Sequence, residues 1–341
     1  MTRTEPDRPS AGARSATVVG AGICGSWAAL MLADAGVAVT LVDRDPPEAA
    51  TGTSHWAGGM LAPDCESDGA EPIVVALGRR SLDLWRRHLP DTAMAGSLVV
   101  AHPRDRGELD RFARATSGHE RADAARVAAL EPALAGRFGG GLYFPGEGHV
   151  EPRRVLPALH ARLAARGGAI RWGAAAHPAG MEGTVVDCRG LAARDVFPDL
   201  RGVKGETVLV ETAEVRLSRP VRLMHPRWPL YAIPREGGRF LIGATSIESE
   251  DATGVSVRSA LELMTAAYAL HPAFGEARIV ELGTALRPAF PDHAPRIDVR
   301  GERIAVNGLY RHGFLLAPAL GEIVADYVVR GARDNAVMRW S

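Results

Sequence analysis

Six residues near the start of the chain, Gly20-Ala21-Gly22-Ile23-Cys24-Gly25, have the types and spacing to hold a pyrophosphate. Each glycine of a G-x-G-x-x-G turn has its own task. Gly20 permits the tight turn, Gly22 lets backbone N–H groups approach phosphate at the positive end of a helix, and Gly25 lets that helix pack on its strand. Asp43 follows at the distance where a carboxylate accepts from both ribose hydroxyls, which disfavours a 2′-phosphate and points to NAD or FAD. The next run, Thr51 to Pro63, sets Trp56, Met60 and Leu61 beside the glycine pair Gly58-Gly59. Small residues of this kind suit a loop lying flat against a planar ring, which favours FAD. The plainer reading is a linker, but linkers are usually polar.

Other chemistries are excluded by counting. The chain has 341 residues, with 40 Lys+Arg against 40 Asp+Glu, and Lys204 is the one lysine. A Schiff-base enzyme or a P-loop NTPase would depend on Lys204, and Val203-Lys204-Gly205 fits neither. Zero net charge without a basic stripe argues against nucleic-acid binding. Cys24, Cys65 and Cys188 are far apart and form no C-x-x-C, so no disulfide framework and no zinc or iron–sulfur site is expected. That usage suits a reducing compartment, and a cytoplasmic location is expected. Residues 1–14 lack an apolar h-region and read as a disordered lead-in. The charge-free run 16–33 has the length of a membrane span, yet its glycines at turn-like spacing mark a strand, a turn and a buried helix, and no membrane span is expected.

The elements that must position these residues follow from the hydrophobic pattern. A strand at 16–19, a helix at 26–35 stopped by Gly36 and a strand at 37–42 complete the βαβ unit that the glycine motif requires. Helices are predicted at 72–88, 151–166, 257–269 and 315–330, with a surface-helical region over 104–134 and a break at Gly139-Gly140-Gly141. Strands are predicted at 97–101, 142–145, 170–172, 183–187, 207–211, 230–234, 240–245, 277–285 and 304–308. This order predicts an α/β chain: a discontinuous Rossmann-type FAD-binding domain (15–85, 148–205 and 285–335) with an inserted α+β substrate domain (86–147 and 206–284) built on an antiparallel sheet.

Several motifs in order resemble the D-amino-acid-oxidase-like flavoproteins, and within them the thiamine-pathway glycine oxidases. They are Gly20 to Gly25 with Asp43, Gly58-Gly59-Met60-Leu61-Ala62-Pro63, Gly148-His149-Val150-Glu151-Pro152-Arg153-Arg154, Val203-Lys204-Gly205-Glu206, Tyr231-Ala232-Ile233-Pro234-Arg235, Ile242-Gly243-Ala244-Thr245, Leu286-Arg287-Pro288-Ala289 and Tyr310-Arg311-His312-Gly313-Phe314-Leu315. The resemblance runs from about 16 to about 330. It implies FAD held by Gly20, Gly22, Ile23, Cys24, Gly25, Asp43, Arg44, Thr51, Ser54, Gly58, Gly59, Met60, Arg311, His312, Gly313, Phe314 and Leu315. It also implies that Arg287 pairs with the substrate carboxylate and that Tyr231 lines the pocket. Thr284 to Pro288 contains no cysteine, so the FAD is expected to be non-covalent.

The residues agree with those roles. A bidentate guanidinium fixes both the position and the plane of a carboxylate while hydride leaves Cα for flavin N5, and Arg287 is stiffened by Pro288. Tyr231 can donate to the same carboxylate, though a core aromatic is its structural reading. The helix that starts after Gly313 can direct its positive end, helped by Arg311, at charge developing on a reduced flavin; a structural salt bridge is the other reading of Arg311. The expected function is therefore oxidative deamination of glycine or a small, N-substituted amino acid, with O2 as acceptor and peroxide as product. A dehydrogenase passing electrons to a quinone or protein, in a chain that can assemble as a homo-oligomer, is the alternative.

Overall fold

The structure, a computed structural model, describes residues 14–47, 51–225 and 229–340. The expected lead-in over 1–14 lies, apart from Arg14, outside the described residues. One sheet has seven strands in the order Met338–Trp340, Arg296–Arg300, Arg303–Asn307, Thr184–Asp187, Ser15–Val19, Ala38–Val42 and Ala169–Arg171. From Arg303–Asn307 to Ala169–Arg171 the strands run parallel. Parallel strands covered on both faces need continuous apolar runs, and Val18, Val39, Leu41 and Val186 are buried accordingly.

The helices Ile23–Asp34, Pro72–His88 and Gly313–Arg330 pack against one another in the core of this layer. Trp27 meets Trp85 edge-on there, with ring centres 4.9 Å apart. The segment Tyr310–Arg330 is long and apolar enough to cross a membrane by length and composition alone. Its apolar window is 67% buried inside the molecule, which is the setting of a core helix.

The second sheet has eight strands: Arg278–Ala289, Arg201–Glu211, Arg239–Gly243, Leu230–Arg235, Val221–Met224, Ser97–Ala101, Gly140–Phe144 and Glu120–Asp123. It is antiparallel except where Val221–Met224 runs parallel to Ser97–Ala101. Side chains alternate across a strand. Val208, Val210, Ala232, Phe240 and Ile242 bury one face beneath the helix Val257–Leu270. The residues between them, Thr207, Tyr231 and Gly243 with Arg222 and Gly283, share the other face.

The fold is thus the expected mixed α/β architecture with a Rossmann-type unit, and three local expectations are corrected. The region 104–134 is not one helical stretch. Arg106–Ala115 is a helix, Gly118 turns the chain at φ +75°, Glu120–Asp123 is an edge strand, and Asp123 caps a new helix, Ala124–Leu130. The Gly139 to Gly141 break begins a strand instead, because a Cβ at Gly141 would stand 2.6 Å from the Val99 carbonyl on the neighbouring strand. The strands Val221–Met224, Arg296–Arg300 and Met338–Trp340 were not anticipated: each is only three to five residues long, and each is held by its neighbours in the sheet. The expected boundaries at 205/206 and 284/285 fall inside the long paired strands Arg201–Glu211 and Arg278–Ala289. Lys204 is held by Asp251 at 3.0 Å and Glu206 at 3.4 Å, a structural ion pair.

Candidate active site

The glycine turn is built as its spacing demands. Gly20 lies at φ +102°, and a Cβ there would sit 2.5 Å from the Cys188 carbonyl; a Cβ on Gly25 would sit 1.8 Å from the Gly20 carbonyl. Gly22 begins the helix Ile23–Asp34 without a side-chain cap. The Ile23 N–H donates to Ser54 Oγ at 3.0 Å, which brings the loop after Asp43 onto the helix end. Asp43 accepts from the Ala21 N–H at 2.5 Å and from the Asp45 N–H at 2.9 Å, so its carboxylate stands at the mouth of the turn. Cys24 lies beside the buried Cys188, whose thiol is pushed up by their hydrogen bond and by burial. Arg44 is exposed and pairs with Asp45 at 3.5 Å, while the Thr51 hydroxyl donates to the same carboxylate at 2.7 Å. Gly313 starts the helix Gly313–Arg330 next to Ile23, so two helix N-termini meet. Phe314 and Leu315 are only 4% and 2% exposed and belong to the core, where the Phe314 carbonyl accepts from Trp85 Nε1 at 3.0 Å.

The loop 51–63 lies across the open face of the eight-stranded sheet. Trp56 fills the space where a Gly283 side chain would be, since a Cβ there would be 2.3 Å from the ring. A Cβ on Gly58 would lie 2.8 Å from Ile233, and the Gly58 carbonyl accepts from Arg235 Nη2 at 2.6 Å. The Thr53 hydroxyl donates to the Leu286 carbonyl at 2.8 Å. Gly59, at φ +70°, accepts from the Val150 N–H at 2.8 Å, and Met60–Leu61 pair with Gly148–His149.

Beside that loop the polar side chains converge. Arg287 lies flat over Gly205, where a Cβ would be 2.2 Å from Nη2, and donates to the Thr245 carbonyl at 3.0 Å. Burial lowers its pKa, and no carboxylate among the described residues lies within ion-pair distance. Arg311 and His312 both face Glu66 Oε2, at 2.8 Å and 3.5 Å, and the Tyr231 hydroxyl donates to Glu66 Oε1 at 3.4 Å. The Arg311 contact is an ion pair without hydrogen-bond alignment. Burial opposes the charge of Glu66, but His312, Arg311 and Arg222 outweigh it and hold the carboxyl below its ordinary value. Burial pushes His312 down to about 4, so this imidazole is neutral at pH 7. Burial likewise raises the Tyr231 phenol, keeping it protonated and able to donate.

Arg287, Tyr231, Arg311 and His312 are therefore brought together from three separate parts of the chain. Glu66 and Arg222 were not anticipated. Glu66 had one signal, an acid set directly behind the apolar loop in Pro63-Asp64-Cys65-Glu66. Arg222 had none, because its strand is too short to show its face.

Residues 15–327 match the family described as DAO, FAD dependent oxidoreductase. The chain belongs to this family. It is 51% identical over 309 residues to a protein of Rhizobium etli carrying the name thiamine biosynthesis oxidoreductase ThiO, covering 90% of this chain and 94% of that one. It is 30% identical to the glycine oxidase of Pseudomonas aeruginosa, over 91% of this chain and 93% of the relative. Its fold superposes on the crystal structure of glycine oxidase from Geobacillus kaustophilus with a TM-score of 0.78 at 24% identity, covering 93% and 95% of the two chains.

Membership makes this an FAD-dependent oxidoreductase, and the residues present fit that cofactor. The Gly20 to Gly25 turn brings backbone N–H groups to a helix N-terminus with no side chain at Gly22 to stand in the way, as a pyrophosphate requires. Gly205 and Gly283 make room on the sheet face for Arg287 and for Trp56 of the loop 51–63.

Proposed function

We propose that the chain oxidises glycine or a small, N-substituted amino acid to the imine, which water converts to glyoxylate and ammonia or an amine, with O2 as acceptor and H2O2 as product. The observation that carries this reading is Arg287, a guanidinium in a cradle made for it by Gly205 and answered only by a neutral carbonyl. Such a group gains most from an arriving carboxylate.

The cofactor is the two-electron acceptor when bound, and Gly20, Gly22, Gly25, Asp43, Ser54, Gly58, Gly59 and the first turn after His312 are the groups proposed to hold it. Arg287 fixes the substrate carboxylate, and Tyr231 presents its phenol from the next strands across the sheet. The neutral His312 adds no charge to the pocket, so an amine arriving unprotonated needs no base to lose its Cα hydrogen. Arg311 and the helix N-terminus at Gly313 supply positive potential where electrons accumulate. The resemblance in sequence to ThiO supports a place in thiamine biosynthesis, and the three free thiols suit the cytoplasm.

Purified holoenzyme mixed anaerobically with glycine, sarcosine and D-alanine should lose its flavin absorption with at least one of them, and air should then release one peroxide per flavin. Bleaching without peroxide would point to the dehydrogenase; no bleaching with any of the three would overturn the proposal. Arg287→Lys keeps the charge but loses the fork, and should lower kcat/KM by roughly 10-fold or more, the loss expected when one charge-assisted hydrogen bond of about 1.5–3 kcal/mol is removed.

A further inference from the structure

The pocket holds one guanidinium more than a monocarboxylic substrate accounts for. Arg222 stands directly opposite Tyr231 in strand register, on the same sheet face as Arg287. Its guanidinium carbon lies 5.1 Å over the Tyr231 ring and 4.7 Å over the Phe112 ring. Its Nε is buried with no hydrogen-bond partner, and none of the described carboxylates lies within ion-pair distance.

The nearby acids are already engaged. Both oxygens of Glu66 face Arg311, His312 and Tyr231. Asp64 is taken by Arg79 and Asp68 by Arg111. Glu147 is buried, accepts from the Cys65 N–H and binds the Ser97 hydroxyl. Of the three guanidiniums Arg222, Arg287 and Arg311, Arg311 alone has a carboxylate among the described residues within ion-pair distance, Glu66, and His312 is neutral. Two positive charges remain, and a substrate with one carboxylate satisfies only Arg287. Two aromatic faces offset part of the cost of burying Arg222, but its Nε–H is left without a partner among the described residues.

We propose that Arg222 binds a second anionic group on the substrate, so that the preferred amines are small aminodicarboxylates of the N-carboxymethylglycine type. This rests on the amine oxidation proposed above. One carboxylate lies on Arg287, the amine and its Cα come between, and the arm on nitrogen carries the other carboxylate towards Arg222. The chemistry balances as before. The Cα–H and N–H bonds are lost as C=N forms, FAD takes the electron pair, and water cleaves C=N to glyoxylate and glycine.

The test uses wild-type holoenzyme with iminodiacetate and sarcosine, which differ by the second carboxylate, together with diglycolate and methoxyacetate, which lack the amine and report binding alone through the flavin spectrum. The wild type should show kcat/KM at least tenfold higher for iminodiacetate than for sarcosine, and should bind diglycolate at least tenfold more tightly than methoxyacetate. In Arg222→Met the KM for iminodiacetate should rise at least 30-fold and both preferences should collapse towards one. Equal use of the two amines by the wild type, or preferences kept in the variant, would overturn the assignment. Should the variant fail to retain FAD, the diglycolate and methoxyacetate affinities of the wild type decide. Those affinities also separate the two proposals: no flavin reduction by any amine overturns the oxidation, while the preference for diglycolate still judges Arg222.

Discussion

Arg287 shows how one side chain's behaviour depends on what its neighbour lacks. Gly205 is the residue beneath it, and a methyl group there would stand 2.2–2.7 Å from the three outer atoms of the guanidinium. Gly205→Ala must therefore displace Arg287 rather than abolish it. The expected result is a KM for the amino acid raised about tenfold, corresponding to roughly 1.4 kcal/mol of lost binding, with FAD content unchanged. Steady-state kinetics beside a flavin-to-protein absorbance ratio would show this, and an unaltered KM would disconnect Gly205 from the site. The same dependence explains Arg311, which pairs with Glu66 while standing at the start of the helix that faces the cofactor site. Of its two sequence readings, the ion pair is the one observed, and its partner Glu66 was not anticipated.

At the scale of elements, the glycine turn and the loop 51–63 work as a pair. The strand Ser15–Val19 delivers Gly20, the helix Ile23–Asp34 follows Gly22, which has no side chain to cap it, and Ser54 returns from the loop to accept from the Ile23 N–H. Gly25 is where the helix and the turn touch, backbone against side-chain position, with no flexible side chain to give way. Gly25→Ala should thus force the helix away from the turn. The purified variant should carry less than half the FAD of the wild type while keeping the helical circular dichroism of the rest of the fold. Full retention of FAD would show that the contact tolerates displacement. The eight-stranded sheet does the complementary work by presenting its glycine-rich face to the loop and its Val/Phe/Ile face to the helix Val257–Leu270.

For the whole molecule, buried titratable groups make stability depend on pH. Burial, reinforced by Arg235, holds His149 down to about 4, and burial holds His312 down to about 4, both from an ordinary 6.5. The unfolded chain binds these protons below 6.5 and the native chain does not until about 4, so stability is present above 6.5 and lost as pH falls through that window. Each histidine contributes about 3 kcal/mol by this linkage. Glu147 has the opposite sign: burial raises it from 4.5 to about 7, so its contribution is full below 4.5 and lost as pH rises to about 7. By pH 4.5 the histidines have lost most but not all of their share, and two losses against one gain leave a net fall of about 2 kcal/mol between pH 7 and pH 4.5. Tm should drop over that range, less in His149→Gln and more in Glu147→Gln. A Tm that rises on acidification, or variants that order the other way, would contradict these assignments.

The chain's local rules were readable without coordinates because they are steric and short in range. A G-x-G-x-x-G turn between strand and helix and a helix stopped by Gly36 follow from neighbours in sequence, and the family resemblance pointed to Arg287, Tyr231 and Arg311, which the fold brings to one place. The helical expectation over 104–134 failed for the converse reason. The edge strand Glu120–Asp123 exists because Gly140–Phe144 offers it a partner, which no local periodicity records. Tertiary structure alone decided that Glu66 gathers Arg311, His312 and Tyr231, and that Arg222 is left to two aromatic rings. Charge pairing and desolvation act between groups distant in sequence, so only the folded chain determines which arginines remain free for a ligand.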